Sequence, residues 1–132
     1  MAAPVALFMV ERDGNVLLVR RKDYEKPFAG QWMLPGDVLR PSETAPEAVT
    51  RLGREELAIA VLGTELLETC QLEGDDGEHQ TWVYRVGFEG NLRYRSAGPF
   101  AEATWATTAN LPAPMPRALR DLLNRLLPTK VI

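Results

Sequence analysis

The sequence of 132 residues has very little of what builds covalent staples or metal cages: one cysteine, Cys70, and one histidine, His79. A single cysteine excludes an internal disulfide and points to a reducing compartment, so a cytoplasmic protein is expected. Cys70 lies in an apolar stretch and is expected to be an inert core thiol. With one Cys and one His, no zinc site of the usual ligands can be assembled. Basic excess is also missing. There are 15 Lys and Arg against 18 Asp and Glu, a net charge of −3, which argues against a broad surface for a nucleic-acid polymer. The apolar N-terminal stretch is short, lacks a basic lead and is followed by Glu11, so neither a signal peptide nor a membrane span is expected. There is no internal repeat, no low-complexity segment, no phosphate-binding glycine loop and no recognisable Ser-His-Asp arrangement. The acids of Gly74-Asp75-Asp76-Gly77 lack the spacing of a calcium loop and read as a solvated turn. The length suits a single domain, residues 1–132.

What is present alternates between strand and helix signals. Val5 to Val10 is continuously apolar and reads as a buried strand. Asp13-Gly14 marks a turn, and Asn15 to Arg21 is the expected return strand. That strand ends in Arg20-Arg21-Lys22, where strand alternation lets only one of the two arginines face a given side. The loop that follows carries Tyr24, Phe28 and Trp32. Their rings could stack on a nucleobase or form a small core of the loop. Ile59 to Leu72 reads as a long strand with a break at Gly63, Thr81 to Phe88 as a clear strand, and Leu92 to Arg95 as a short edge strand. Arg117 to Leu127 reads as an amphipathic packing helix.

Between these lies GDVLRPSETAPEAVTRLGREELAI, Gly36 to Ile59. Thr44 and Glu47 have the spacing of a capping box, with Pro46 in the first turn. The helix should end near Ala58. Ala45, Ala48, Val49 and Leu52 share one stripe, and Glu56 falls on it, with Glu55 at its edge. An unpaired carboxylate is costly to bury, so two adjacent acids there call for a cation such as Mg²⁺, which accepts one or two carboxylates together with waters and phosphates. The same spacing also allows a plain surface ladder of Glu47, Arg51 and Glu55 at four-residue intervals.

This stretch resembles a Nudix box. Glu43 takes the box's first Glu, Arg51 its Arg, Glu55 and Glu56 its Glu-Glu pair, and Ile59 its final aliphatic, all without a gap. The approach, Gly30-Gln31-Trp32-Met33-Leu34-Pro35-Gly36, matches the family's usual lead-in. The chain departs from the pattern at Asp37, Leu52, Gly53 and Ala58, which stand in place of Gly, Glu, an aliphatic and Gly. The box and its lead-in cover about a fifth of the chain.

The resemblance implies an α/β fold, a Nudix-like α/β/α sandwich with a mixed sheet. It implies metal-dependent hydrolysis of a diphosphate linkage in a nucleoside triphosphate or nucleoside diphosphate derivative, with Mg²⁺ or Mn²⁺ as cofactor. Glu55, Glu56 and Glu43 would be the metal-side acids, and Arg51 would orient them. Arg20 or Arg21, with Trp32, would contact substrate, and Glu102 would be the acid outside the helix that serves as ligand or base. Leu52 replaces a metal ligand or base, and Asp37, Glu47 and Glu102 are the acids that could substitute. The alternatives are a weakened Nudix-like nucleotide-binding or regulatory module and an unrelated domain whose acids form surface ladders. The expected partner is a small phosphorylated molecule, with no nucleic-acid polymer and no membrane. A homodimer is left open.

Overall fold

The computed structural model describes residues 2–127, so the outermost ends of the expected 1–132 domain lie outside the described residues. Eight strands and two α-helices follow in order: β1 Val5–Met9, β2 Glu11–Arg12, β3 Asn15–Arg21, β4 Trp32–Met33, β5 Gly36–Val38, α1 Ala45–Leu57, β6 Ala60–Gly74, β7 Gly77–Glu89, β8 Phe100–Ala106 and α2 Arg117–Leu126. One sheet has the order β5-β1-β7-β6. In it β1 runs parallel to β7 and antiparallel to β5. The second sheet is built around β3, which pairs antiparallel with β2, β4 and β8.

Side-chain alternation along β1 and β3 sorts the core into two layers. Val5, Leu7, Met9, Val16 and Leu18 pack with Leu119, Leu122 and Leu123 of α2. Ala6, Phe8, Val10, Leu17 and Val19 pack with Ala45, Ala48, Val49 and Leu52 of α1. The result is a mixed sheet layer with a helix on each side, an α/β/α sandwich. The continuous apolar runs of β1 and β3 follow from this, because both faces of each strand are covered.

Helix α1 forms where its caps predict. Glu47 N–H donates to Thr44 Oγ1 (3.2 Å), and Thr44 N–H donates to Glu47 Oε1 (2.9 Å). The helix stops at Ala58, which is left-handed with φ 58°, a conformation that glycine adopts more readily. Gly53 permits close packing, since a Cβ there would lie 2.8 Å from Val61 Cγ2. The one-for-one departures at 53 and 58 are therefore local packing and capping matters.

Two expectations are corrected. Asn15 to Arg21 is a strand, but it is not the return partner of the first apolar run. Only Glu11 and Arg12 pair with it across Asp13-Gly14, while β1 crosses into the other sheet. Leu92 to Arg95 is not an edge strand. The N–H groups of Arg93 and Arg95 instead donate to the carbonyls of Leu57 and Glu56 (3.0 Å each), closing the C-terminal end of α1. Phe28 is 2 % exposed and stacks obliquely on buried His79, so that aromatic belongs to the loop's core. Cys70 is only half-buried, and burial pushes its thiol pKa up.

Candidate active site

The last turns of α1, the segment after β5 and the 95–99 segment enclose a cleft of about 360 Å³. Leu52, Glu55 and Glu56 line it from the helix, Asp37 and Arg40 from the β5 side, and Arg95 and Gly98 from the opposite rim.

Glu56 is the unusual group. It is 6 % exposed, and its Oε1 accepts from Arg95 Nη2 at 2.9 Å. Its Oε2 is buried and has no hydrogen-bond partner. Gly98 lies so close that a Cβ there would sit 2.3 Å from this oxygen. An unsatisfied carboxylate oxygen in a buried position is destabilising unless something in the functional state takes it up. Glu55 beside it is about a third exposed. Arg40 (3.5 Å), Arg51 (3.7 Å) and Arg54 (4.0 Å) surround it.

Glu43 does not line the cleft. Arg51 grips it with both arms of its fork, Nε to Oε2 at 2.7 Å and Nη2 to Oε1 at 2.9 Å, and Arg40 N–H adds 2.9 Å. The Arg51 hydrogen bond holds the Glu43 pKa down at about 2. This pair ties the loop before α1 to the helix face. The expected surface ladder has only one rung, Arg51 to Glu55, because Glu47 is spent on the cap.

Arg20, Trp32 and Glu102 form a separate group. Arg20 stands opposite Trp32 on one side and opposite Glu102 on the other, in a row across β4, β3 and β8. Its guanidinium donates to Glu102 (Nε, 3.0 Å) and pairs with Asp23 (3.3 Å). None of the three lines the cleft of Glu55 and Glu56. Arg21 points elsewhere. Its side chain is 3 % exposed and donates to the carbonyls of Glu25, Lys26 and Gly36, with Asp37 at 3.5 Å. Arg21 thus anchors the loop to β5, and of the two arginines only Arg20 keeps an open face.

The donors suit a hard divalent cation that brings part of its own shell. Glu56 Oε2 offers a free buried oxygen, and Glu55 a second carboxylate next to it. Among the described residues no three His, Cys, Asp or Glu side chains converge, which excludes an all-protein cage there. Leu52 stands on the cleft wall, 3 % exposed, on the same helix face as Glu55 and Glu56. Asp37 lines the cleft but is turned to Val38 N–H (2.8 Å) and Arg21.

The sequence reading missed Arg40, Arg95 and Gly98. The only signal for Arg95 was a basic pair around Tyr94, and its spacing suggested a strand instead.

Comparison with known proteins shows what the chain as a whole is similar to. The model of the NUDIX domain matches residues 2–126. The low-salt glycan biosynthesis protein Agl8 of Haloferax volcanii is 33 % identical over 78 residues, 54 % of this chain and 49 % of that protein. The nucleoside triphosphatase NudI of Escherichia coli is 40 % identical over 58 residues, 44 % of this chain and 41 % of its own. The chain thus matches less than half the length of these curated relatives. A solved MutT NUDIX hydrolase from Burkholderia pseudomallei superposes with a TM-score of 0.81 at 29 % identity, covering 94 % of this chain and 97 % of that one.

Proposed function

This chain belongs to the Nudix family, and from that premise we propose that it is a metal-dependent hydrolase that cleaves a diphosphate linkage in a nucleoside triphosphate or nucleoside diphosphate derivative. The observation that carries the reading is the buried, unpartnered Glu56 Oε2 beside Glu55 in a cleft rimmed by arginines. The name of the related NudI, a nucleoside triphosphatase, supports a nucleotide substrate.

Glu55 and Glu56 are the residues that would hold Mg²⁺ or Mn²⁺. When bound, the ion would lower the pKa of a water and neutralise charge on phosphate oxygens. Arg51 keeps Glu55 in place while its grip on Glu43 fixes the loop. Arg40, 60 % exposed at the rim, presents a planar fork that matches phosphate geometry. Leu52 gives the helix side of the cleft an apolar wall.

Arg20 and Trp32 are assigned to the distal part of the substrate. Glu102, 55 % exposed, orients Arg20 and is the acid to test as base. A Glu102→Gln variant should lower kcat if it moves a proton, and should raise KM alone if it only orients Arg20.

A second reading is favoured by Leu52. With an apolar wall in place of a third acid, the domain holds its nucleotide and turns it over slowly or not at all. A hydrolysis screen over nucleoside triphosphates, oxidised nucleotides and nucleotide sugars, with Mg²⁺ and Mn²⁺, decides between them. Metal-dependent release of phosphate or pyrophosphate that disappears in Glu56→Gln supports the enzyme. Metal-dependent nucleotide binding without release supports the module. Neither binding nor release refutes both.

A further inference from the structure

Arg95 holds Glu56 twice, through its backbone and through its side chain. The main chain of its segment is already held by Arg95 N–H on the Glu56 carbonyl (3.0 Å), Gly98 N–H on the Arg95 carbonyl (2.9 Å) and Lys22 Nζ on the Ser96 carbonyl (2.8 Å). The side chain adds a contact that this backbone link does not need. It is 53 % exposed, whereas the Glu56 side chain it touches is 8 % exposed. Its Nη2 sits on one oxygen of Glu56 and leaves the other orphaned. Charge is balanced by this pairing while hydrogen bonding is left incomplete. That is how a replaceable counter-charge is built.

We propose that Arg95 is an exchangeable counter-ion. It neutralises Glu56 in the metal-free protein, is displaced when a divalent cation takes that carboxylate, and then binds a phosphate group of the substrate. The inference rests on the reading that Glu56 is a metal ligand. An exposed guanidinium on a flexible stem can swing within the cleft it already lines, and its bidentate fork suits phosphate as well as carboxylate. A cation on the free Oε2 neutralises the carboxylate and so weakens its hold on Arg95 through Oε1, and that carboxylate and the phosphate compete for one guanidinium. Each ligand therefore removes the other's competitor, and by linkage the two must strengthen each other's binding equally.

The test is a titration with Mn²⁺ alone, by calorimetry and by melting curves, on wild type, Arg95→Ala, Arg95→Lys and Glu56→Gln. A second titration uses inorganic pyrophosphate at saturating Mn²⁺. The expected result is that Arg95→Ala binds Mn²⁺ about tenfold tighter than wild type, as loss of a charge-assisted competitor predicts. It should bind pyrophosphate about tenfold more weakly, with Arg95→Lys between the two. Arg95→Ala should also melt lower without metal and gain more from Mn²⁺ than wild type does. A purely structural Arg95 would lower the melting point without changing Mn²⁺ affinity, and that outcome overturns the proposal. It leaves Glu56 as a ligand provided Glu56→Gln abolishes binding. Tighter Mn²⁺ with unchanged pyrophosphate overturns the phosphate half. If neither wild type nor Arg95→Ala binds Mn²⁺, the proposal and the metal site fall together.

Discussion

Leu52→Glu puts a third carboxylate into the cleft wall, three and four residues before Glu55 and Glu56 on the same helix face. Leu52 packs in the layer that holds Phe8, Ala48 and Val49 and is 3 % exposed. Exchanging it for an acid forfeits about 1.5–3 kcal/mol of apolar burial, and the two like-charge pairs at helical spacing add about 0.2–0.5 kcal/mol each. The sum is roughly 2–4 kcal/mol without metal. Unfolding entropy of about 2.1 cal/mol/K per residue gives about 280 cal/mol/K for 132 residues. The metal-free variant should therefore melt roughly 7–14 °C below wild type. A cation held by three carboxylates then stabilises the folded state by mass action, about 2.7 kcal/mol at a hundred times its Kd, or about 10 °C. Calorimetric melting at neutral pH, with and without Mg²⁺, measures both arms, and single-turnover hydrolysis of the best substrate from the screen gives a third. We expect a large fall, a recovery larger than the wild type's own Mg²⁺ shift, and a faster reaction. An equal fall with and without Mg²⁺, and no gain in rate, would refute the reasoning that Leu52 stands in a vacated ligand position.

Acid should loosen the loop before α1. The Glu43 pKa is lowered from 4.5 to about 2 by Arg51, so its contribution is full above pH 4.5 and is lost as pH falls toward 2. The shift corresponds to about 3 kcal/mol. Solvent screening near the surface reduces this to about 1–2 kcal/mol, and Glu43→Gln should flatten that part of the stability–pH curve. Arg21→Ala strips the donor from two loop carbonyls and one of β5 and should lower stability by about 3 kcal/mol. Arg20→Ala should change it by about 1 kcal/mol or less and instead raise KM, and chemical denaturation with substrate titration separates the two. Ala58→Gly relieves a left-handed residue and should raise stability by about 1 kcal/mol. A lower melting point would show that Ala58 Cβ packs usefully.

The strands and α1 were legible because their signals are local. The capping box from Thr44 to Glu47, the stripe through Leu52 and the alternation of β7 need no knowledge of partners. The carboxylate on that stripe was legible for the same reason. What escaped was set by contacts distant in sequence. Arg93-Tyr94-Arg95 has the alternation of a strand, but the N–H groups of Arg93 and Arg95 go to the final carbonyls of α1. Which of Arg20 and Arg21 keeps a free face depends on the irregularity between them in the β3–β8 ladder and on the carbonyls of Glu25, Lys26 and Gly36, none of which a periodicity can show. Glu43 reads as one more acid of the box until Arg51 is seen to occupy both its oxygens.

The parallel pairing of β1 with β7, in which Val5 stands opposite Thr81, constrains how the chain must be made. The most apolar run of the described chain leaves the ribosome well before its central partner, which follows only after α1 and all of β6 have been synthesised. Until then Val5 to Val10 has β5 on one edge and nothing on the other, so the nascent chain carries an open, aggregation-prone strand edge. Ladders that bridge such sequence distances close slowly compared with helices, whereas α1 holds its own caps and can form early. Refolding should accordingly show helix signal before sheet signal. Synthesis halted before Gly77 should yield a chain that has its acidic helix and needs a chaperone to remain in solution.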